Sequence, residues 1–218
     1  MRIGLLGAGN MAGALGEQWA RAGHEVLVGA RDPGKAAALA ERIGYGARSG
    51  TFREAAEFGE AVLLAVWYEG VADVLEAAGP LDGRVLIDCT NATAPPDFTL
   101  RTPSVAGWIA ERVPGARVVK AFNLCHESVW RLAPPPVGVP LCGDAEAVAV
   151  VAGLVREMGC APLHGGGLER AGLLEATAAF ALGVYFGGPE VGDPRGMFPP
   201  IKIAAEGVGP IAAGSTSR

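Results

Sequence analysis

The chain has 218 residues, of which 50% are hydrophobic and 19% charged, and its formal net charge is −5 at pH 7. This composition is typical of a compact globular protein, and the lack of a basic run argues against nucleic acid as a partner. The four cysteines lie far apart without a CxxC pair, so we expect no zinc site and no disulfide framework, and we expect a cytoplasmic location.

The first predicted strand, Arg2–Leu6, begins at once, without the regions of a signal peptide. A glycine turn of sequence GAGNMA follows from Gly7 to Ala12 and opens a predicted helix. A G-x-G-x-x-A pattern between a strand and a helix is typical of dinucleotide-binding proteins. Gly7 would allow the sharp turn, Gly9 would let a pyrophosphate approach the backbone, and Ala12 would keep the helix close to the sheet. The N–H groups and dipole of that helix would attract the phosphates.

The end of the second predicted strand, at Gly29, decides between NAD and NADP. Where NAD-binding proteins usually place an acidic residue to hold the ribose 2′-hydroxyl, this chain has Arg31. A guanidinium can stack on adenine and bind a 2′-phosphate, and Lys35 adds a second positive charge. Asp32 offers an alternative, either as a ribose ligand or as the N-cap of the next helix. We interpret the pattern as an NADP(H) site.

Strand and helix patterns alternate over about 160 residues, which predicts an α/β fold with a Rossmann-type, doubly wound parallel sheet. The predicted strands are Arg2–Leu6, Glu25–Gly29, Ala61–Val66, Arg84–Asp88, Arg117–Lys120 and Val139–Cys142, with a further candidate at Ala161–Leu163. The predicted helices are Asn10–Ala22, Pro33–Ile43, Thr51–Phe58, Gly70–Ala78, Ser104–Arg112 and Ala145–Met158.

A helical segment from Leu168 to Phe186 follows a glycine-rich boundary. It is apolar nearly all round, which predicts a place in a core or a subunit contact. The most apolar late stretch, Ala176–Gly188, is shorter than the roughly 20 residues of a membrane span. We therefore divide the chain into an NADP-binding domain, residues 1–165, and a small, mainly helical C-terminal part, residues 166–218, with substrate and homodimer contacts. The Gly- and Pro-rich loop 187–200 is interpreted as a lid over a flat substrate or a strap on a neighbouring subunit.

Three loops follow strands on the edge where open α/β sheets bind ligands, namely Val66–Glu69, Asp88–Asn91 and Lys120–Asn123. Their small residues and amide side chains suit a flat nicotinamide ring. Asn91 and Asn123 could instead cap turns. The aromatic residues Trp67 and Tyr68 could stack on substrate rings or belong to the core.

Six segments carry a likeness to a known family: the glycine turn, VGARDPGKA from Val28, AVW from Ala65, DCTNA from Asp88, VVKAFN from Val118 and LCGDAEA from Leu141. With them the chain resembles the NADP oxidoreductase, coenzyme F-420-dependent family, from Met1 to about Glu175. VVKAFN and VGAR are the most specific matches. The resemblance implies a Rossmann domain with a small C-terminal part, and hydride exchange between NADPH and a deazaflavin, coenzyme F-420.

The resemblance also assigns roles to single residues. It places Gly7, Gly9, Asn10, Met11 and Ala12 at the pyrophosphate, Arg31 and Lys35 at the 2′-phosphate, and Ala65, Val66, Asn91 and Ala121 at the nicotinamide side. Trp67 and Asn123 join the cofactor-binding set because they lie on the same loops. The chain departs from the family pattern at Trp67 and Ala92, where proline is common, and at Leu124, where threonine is usual. All three departures fall beside the expected small-molecule redox substrate.

Hydride transfer requires the protein to align the two reactants and to exclude water, because the cofactor itself carries out the chemical step. A deazaflavin acceptor needs no acid or base from the protein, whereas a carbonyl or imine needs a proton donor. His126 is the candidate catalytic residue for that case, with a structural hydrogen-bonding role as its alternative. Three interpretations stay open: a reductase of a deazaflavin or similar flat acceptor, an NADPH-dependent reductase of an imine, carbonyl or metal chelate, and a non-catalytic NADP(H)-binding sensor.

Overall fold

In the computed structural model, which describes residues 1–132 and 137–186, eight strands form a single sheet flanked by helices. The strands are β1 (Arg2–Leu6), β2 (Glu25–Gly29), β3 (Arg48–Gly50), β4 (Ala61–Leu64), β5 (Val85–Asp88), β6 (Arg117–Lys120), β7 (Gly138–Gly143) and β8 (Ala161–Gly166). The helices are α1 (Asn10–Arg21), α2 (Pro33–Ile43), α3 (Phe52–Phe58), α4 (Val71–Ala78), α5 (Val105–Arg112), α6 (Glu127–Trp130), α7 (Ala145–Glu157) and α8 (Ala171–Phe186). The predicted Rossmann-type α/β class is confirmed.

The strand order in the sheet is β3-β2-β1-β4-β5-β6-β7-β8. The chain winds outward from β1 through β2 to β3, then returns to the other side of β1 and winds outward again from β4. The order therefore reverses between β1 and β4, and open α/β sheets bind ligands outside the carboxyl ends of the strands at such a point. The glycine turn after β1 lies at this place.

The prediction of a wholly parallel sheet is wrong for two strands. β1 to β6 run parallel, but β7 pairs antiparallel with β6, with Lys120 opposite Cys142, and β8 is parallel to β7. After β6 the chain forms the short helix α6, which packs against α1. The last two residues of β7 pair with the last two residues of β6, and β8 shares the direction of β7.

Both faces of the sheet are buried, which explains why the strands read as continuous apolar runs. Along β1, Ile3 and Leu5 face a core that includes residues of α1, α2 and α7. Leu6 faces a second core, formed with α3, α4 and α5. The two layers of helices hold the strand ends rigidly and leave the loops at the carboxyl edge to form a site.

Helix α8 has only one buried side. Its buried residues are Ala171, Glu175, Ala178 and Ala179, and the helix packs on α5. The opposite side carries Leu173, Phe180 and Val184, all exposed. The predicted 187–200 loop lies outside the described residues, and the predicted domain boundary at residue 165 falls within β8. None of the helices that the structure describes is long and apolar enough to cross a lipid bilayer.

Candidate functional site

The turn after β1 requires glycine at its first position. Gly7 has a φ of +126°, and a Cβ built there would lie 2.4 Å from the carbonyl oxygen of Ala65. The Gly7 N–H donates to the carbonyl oxygen of Gly29 at 2.9 Å, which ties the turn to the end of β2. The turn is therefore held between the ends of β2 and β4.

The next glycine faces outward and begins α1. Gly9 is the N-cap residue, and no side chain caps the helix there. A Cβ on Gly9 would meet no atom of the described protein within 4 Å. By contrast, side chains cap α2, α3, α5 and α7. The first-turn N–H groups of α1, at Asn10, Met11 and Ala12, thus have no side-chain cap among the described residues, and a helix start of this kind can bind an anion.

Two cations stand beside this helix end. Arg31 and Lys35 are exposed, just beyond β2. Of the residues in 1–132 and 137–186, none forms an ion pair with either of them. Asp32 caps α2, since its Oδ1 accepts from the N–H groups of Gly34 at 2.9 Å and Lys35 at 3.2 Å. Of the two interpretations of Asp32, the structure shows the N-cap, and both cations are left for an anionic ligand.

The loop after β4 borders the glycine turn and carries an exposed aromatic ring. Ala65 is buried, and Val66 Cγ1 would lie 3.0 Å from a Cβ on Gly7. Trp67 follows with 85% of its surface exposed, and a 3-10 turn, Tyr68–Gly70, leads into α4. A tryptophan so exposed contributes nothing to the core. Its indole is available to a ligand at the carboxyl edge.

The two asparagines predicted on this edge bind each other. Asn123 Nδ2 donates to Asn91 Oδ1 at 3.0 Å, and Asn91 Nδ2 donates to the carbonyl oxygen of Asn123 at 2.8 Å. Asn123 Nδ2 also donates to the carbonyl oxygen of Leu174, at 3.1 Å. The structure therefore brings Asn91 and Asn123 together, as predicted, and joins them to the start of α8.

Phe122 turns the chain sharply between Ala121 and Asn123. Its φ is +62°, a left-handed conformation that costs a non-glycine residue on the order of 1–3 kcal/mol. The buried Phe122 ring makes edge-on contacts with Trp19, at 5.9 Å, and Trp130, at 5.4 Å between ring centroids. This packing fixes the turn, so that Phe122 faces α1 while Asn123 faces α8.

A buried charge cluster under these loops was missed by the sequence analysis. Lys120 Nζ lies 2.9 Å from Asp88 Oδ2 and 3.0 Å from Glu175 Oε1, and all three side chains are fully buried. Burial lowers the pKa of the Lys120 ammonium, but the two carboxylates outweigh it and raise that pKa above its ordinary value. One sequence signal exists: each residue is an isolated charge at the end of an apolar strand or within an apolar helix.

Two other side chains have local roles. His126 caps the short helix α6, where its Nδ1 accepts from the Ser128 N–H at 3.3 Å. The Cys89 thiol donates to the carbonyl oxygen of Leu64 at 3.3 Å, and burial raises the pKa of that thiol to about 12. Cys89 is therefore no nucleophile at neutral pH. Among the described residues, no group of three or more His, Cys, Asp or Glu side chains could hold a metal ion.

The strand order and the glycine turn are those of the Rossmann-type fold. Residues 2–92 match the model of a family described as NADP oxidoreductase, coenzyme F420-dependent. The resemblance predicted from the sequence is thereby confirmed over residues 2–92.

One curated relative is the metalloreductase STEAP3 of Rattus norvegicus. It is 35% identical over 181 residues, a stretch that covers 80% of this chain and 36% of the relative. The chain thus spans about a third of the length of that protein.

Solved structures share the fold. A provisionally assigned F420-dependent NADP-reductase from Arthrobacter sp. FB24 is 27% identical, with a TM-score of 0.76 over 85% of this chain and 93% of that one. A reductive aminase from Aspergillus terreus, solved with NADPH, is 23% identical, with a TM-score of 0.68 over 86% of this chain and 62% of that one. The second likeness is one of fold alone.

Proposed function

We propose that this protein binds NADP(H) in the crevice between β1 and β4 and catalyses hydride transfer between NADP(H) and a flat acceptor, with the deazaflavin coenzyme F420 as the first candidate. Bound NADPH would supply the hydride from its nicotinamide C4. The residues of the chain bind, align and exclude water.

One observation carries the cofactor assignment: two anion-binding features, an uncapped helix start and a pair of unpaired cations, flank the same turn. The helix start offers the N–H groups of Gly9, Asn10, Met11 and Ala12 to a pyrophosphate, and Gly7 forms the turn that leads into it. Arg31, with Lys35 beside it, offers a charged fork to a 2′-phosphate. The hydrogen bond between Gly7 and Gly29 joins the glycine turn to the end of β2, two residues before Arg31.

The nicotinamide half of the cofactor is assigned to the ends of β4, β5 and β6. The residues proposed there are Ala65, Val66, Trp67, Asn91, Ala121 and Asn123. Ala65 and Ala121 have small side chains, which take little of the space that a flat ring would need at this edge. Because the two asparagine side chains hold each other, we propose that they shape this pocket and leave little of their own hydrogen-bonding capacity for a carboxamide.

Three features of this edge support a flat acceptor that needs no proton from the protein. The Trp67 indole and the Leu124 side chain are exposed and apolar, so they can cover a planar ring. The Lys120 ammonium is held by two carboxylates, and the Cys89 thiol has its pKa raised to about 12 by burial. Neither group is placed to act as a general acid.

The test is a direct assay of hydride transfer. Purified protein is mixed with NADPH and oxidised F420, and the absorbance of the oxidised deazaflavin is followed. We expect a loss of absorbance that depends on the enzyme and is slower with NADH at the same concentration. NADPH binding without any loss of absorbance would contradict the deazaflavin assignment and leave the cofactor site standing.

The likeness to a metalloreductase favours a second candidate, a reductase that delivers electrons to a chelated metal. A hydride carries two electrons and a ferric ion accepts one, so this reaction also needs a flat carrier such as a flavin between them. Parallel assays with free flavin, with flavin plus a ferric chelate, and with a cyclic imine separate the candidates. For the imine, His126 Nε2 is the proposed proton donor, since Nδ1 is engaged in the cap. Binding of NADPH with turnover of none of these would indicate a sensor.

A further inference from the structure

The buried charge cluster joins four elements of the fold. Asp88 ends β5, Lys120 ends β6, and Glu175 comes from the second turn of α8. Glu175 also accepts the N–H groups of Val105, at 2.7 Å, and Ala106, at 3.1 Å, in the first turn of α5. One carboxylate therefore fixes α8 to α5 and to the edge of the sheet at once.

Every polar atom of the charged groups in this cluster has a partner. The Lys120 ammonium donates to Asp88, to Glu175 and to the carbonyl oxygen of Thr90. Asp88 Oδ1 accepts the Thr90 N–H at 2.8 Å. A buried ion group of this kind is stable only while its geometry is kept, because an unpaired charge in a dry interior is costly. The cluster thus sets the mutual position of the strand ends and of α8.

The cluster lies directly below the proposed nicotinamide pocket. Lys120 immediately precedes Ala121, and Thr90 immediately precedes Asn91. Leu174, whose carbonyl oxygen accepts from Asn123, immediately precedes Glu175. The α8 backbone is thus fixed to the site by two successive residues. The adenosine half of the site, at the glycine turn and Arg31, makes none of these contacts within the described residues.

We propose that Lys120, Asp88 and Glu175 are positioning residues that hold the nicotinamide half of the cofactor site in place from α8, while the adenosine half stands independently of them. This inference rests on the proposed NADP(H) function. It assigns to α8 a role in the geometry of the redox centre, through side chains that touch neither cofactor nor substrate.

The test separates the two halves of the cofactor with two ligands. The probe 2′,5′-ADP carries only the adenosine side, whereas NADPH carries both sides and reports on its own nicotinamide by fluorescence. The variant Glu175→Gln keeps the shape and leaves Lys120 paired with Asp88. The control Glu169→Gln removes the same charge from an exposed residue in the 3-10 turn before α8.

For Glu175→Gln we expect the Kd of 2′,5′-ADP to stay within about twofold of wild type, and the emission of bound NADPH to shift toward that of free NADPH. The Kd of NADPH should rise about tenfold, which is about 1.4 kcal/mol. Glu169→Gln should change none of these. Asp88→Asn leaves Lys120 paired with Glu175 and should likewise weaken the binding of NADPH but not of 2′,5′-ADP. It replaces Glu175→Gln in the test if that variant does not fold.

Three results would overturn the inference: an equal rise in the Kd of 2′,5′-ADP and of NADPH, no change in either Kd, or loss of folding in both variants. Each would show that the cluster does not act on the nicotinamide half alone. If wild-type protein binds neither ligand, the proposed NADP(H) function itself has failed.

Discussion

At the scale of single residues, the cofactor preference depends on which charges remain unpaired. Asp32 follows Arg31 directly, but only Asp32 has a partner. Its carboxylate caps α2, whereas the Arg31 guanidinium forms no ion pair with the described residues. The sequence pattern places both side chains after β2, but only the structure shows which of them already has a hydrogen-bond partner within the protein.

Replacing Arg31 by alanine should weaken NADPH binding roughly 10- to 100-fold, because a charge-assisted hydrogen bond to the 2′-phosphate is lost. NADH binding should change less than about threefold. Arg156→Ala is the matched control, because it removes an exposed arginine away from the proposed site. Its neighbour Glu157 contacts His24, which precedes the opposite end of β2. Fluorescence titrations of both nucleotides check this, and equal losses would remove the 2′-phosphate role.

Two glycines of the same turn should respond differently to alanine. Gly7→Ala should lower the free energy of unfolding by at least about 2 kcal/mol, because φ is +126° and Cβ meets the Ala65 carbonyl oxygen. Gly9→Ala should change stability by less than about 1 kcal/mol, since nothing lies near that Cβ. It should nevertheless raise the Kd of NADPH at least about tenfold. Urea denaturation and nucleotide titration measure the two effects, and unchanged affinity in Gly9→Ala would place the pyrophosphate elsewhere.

The thiol beside the proposed nicotinamide pocket should be inert. Because burial raises the pKa of Cys89 to about 12, its thiolate fraction at pH 8 is about a thousandfold or more below that of a free cysteine. Iodoacetamide labelling of the folded protein, followed by peptide mass spectrometry, should leave Cys89 unlabelled, with the urea-unfolded protein as control. Rapid labelling in the folded state would show an activated thiol and reopen nucleophilic chemistry at this edge.

At the scale of elements, the sequence predicts the helices and strands whose positions are determined locally, by hydrophobic periodicity and turn residues. The predicted strands up to β7 end within about two residues of those observed, because both faces of the sheet are buried and the apolar runs are unbroken. The last candidate, Ala161–Leu163, ends three residues before β8 does. β3 was missed because its sequence, RSG, is short and polar, and α6 because it has only four residues. The reversal of β7 was missed because its antiparallel pairing with β6 is a contact between strands that leaves no local pattern in the sequence.

In the site, too, the groupings that belong to a local pattern were predicted, whereas the contacts between residues distant in sequence were not. Gly7, Gly9 and Arg31 belong to a local pattern, so their grouping was predictable. The bond between Asn91 and Asn123 and the cluster around Lys120 join residues 32 or more positions apart. No local pattern encodes such pairs. Their trace in the sequence is an isolated charge or amide at a strand end.

The cluster makes a prediction about stability and pH. Lys120→Met leaves two buried carboxylates unpaired and should cost about 3–5 kcal/mol of the free energy of unfolding at pH 7. Since the pKa of Lys120 is raised in the folded state, its contribution is complete below the ordinary lysine pKa of about 10.4 and is lost as pH rises through the folded value. The difference between wild type and variant, measured in urea, should thus be constant from pH 7 to about 9.5 and narrow above that. A difference that stays constant or widens as pH rises above about 10.4 would contradict the sign.

At the scale of the whole molecule, α8 presents an apolar stripe that the described chain does not cover. Leu173, Phe180 and Val184 lie on one side, opposite the side that packs on α5. Exposed stripes of this kind favour association, so the expected homodimer stays a prediction with a defined surface. The expected cytoplasmic location also stays a prediction.

Phe180→Asp should convert the expected dimer into monomer in sedimentation velocity at micromolar concentration, because a carboxylate in an apolar contact is strongly unfavourable. Tyr45→Asp, which changes an exposed aromatic residue between α2 and β3, is the control. A wild-type protein that sediments as a monomer, or a dimer indifferent to Phe180→Asp, would remove α8 from the interface.

The central claim concerns the crevice between the glycine turn and Arg31, and isothermal titration calorimetry of the wild-type protein tests it most directly. We expect one NADPH site per chain, with NADPH bound roughly 10- to 100-fold more tightly than NADH at the same ionic strength. Equal affinity for the two nucleotides, or binding of neither, would contradict the account.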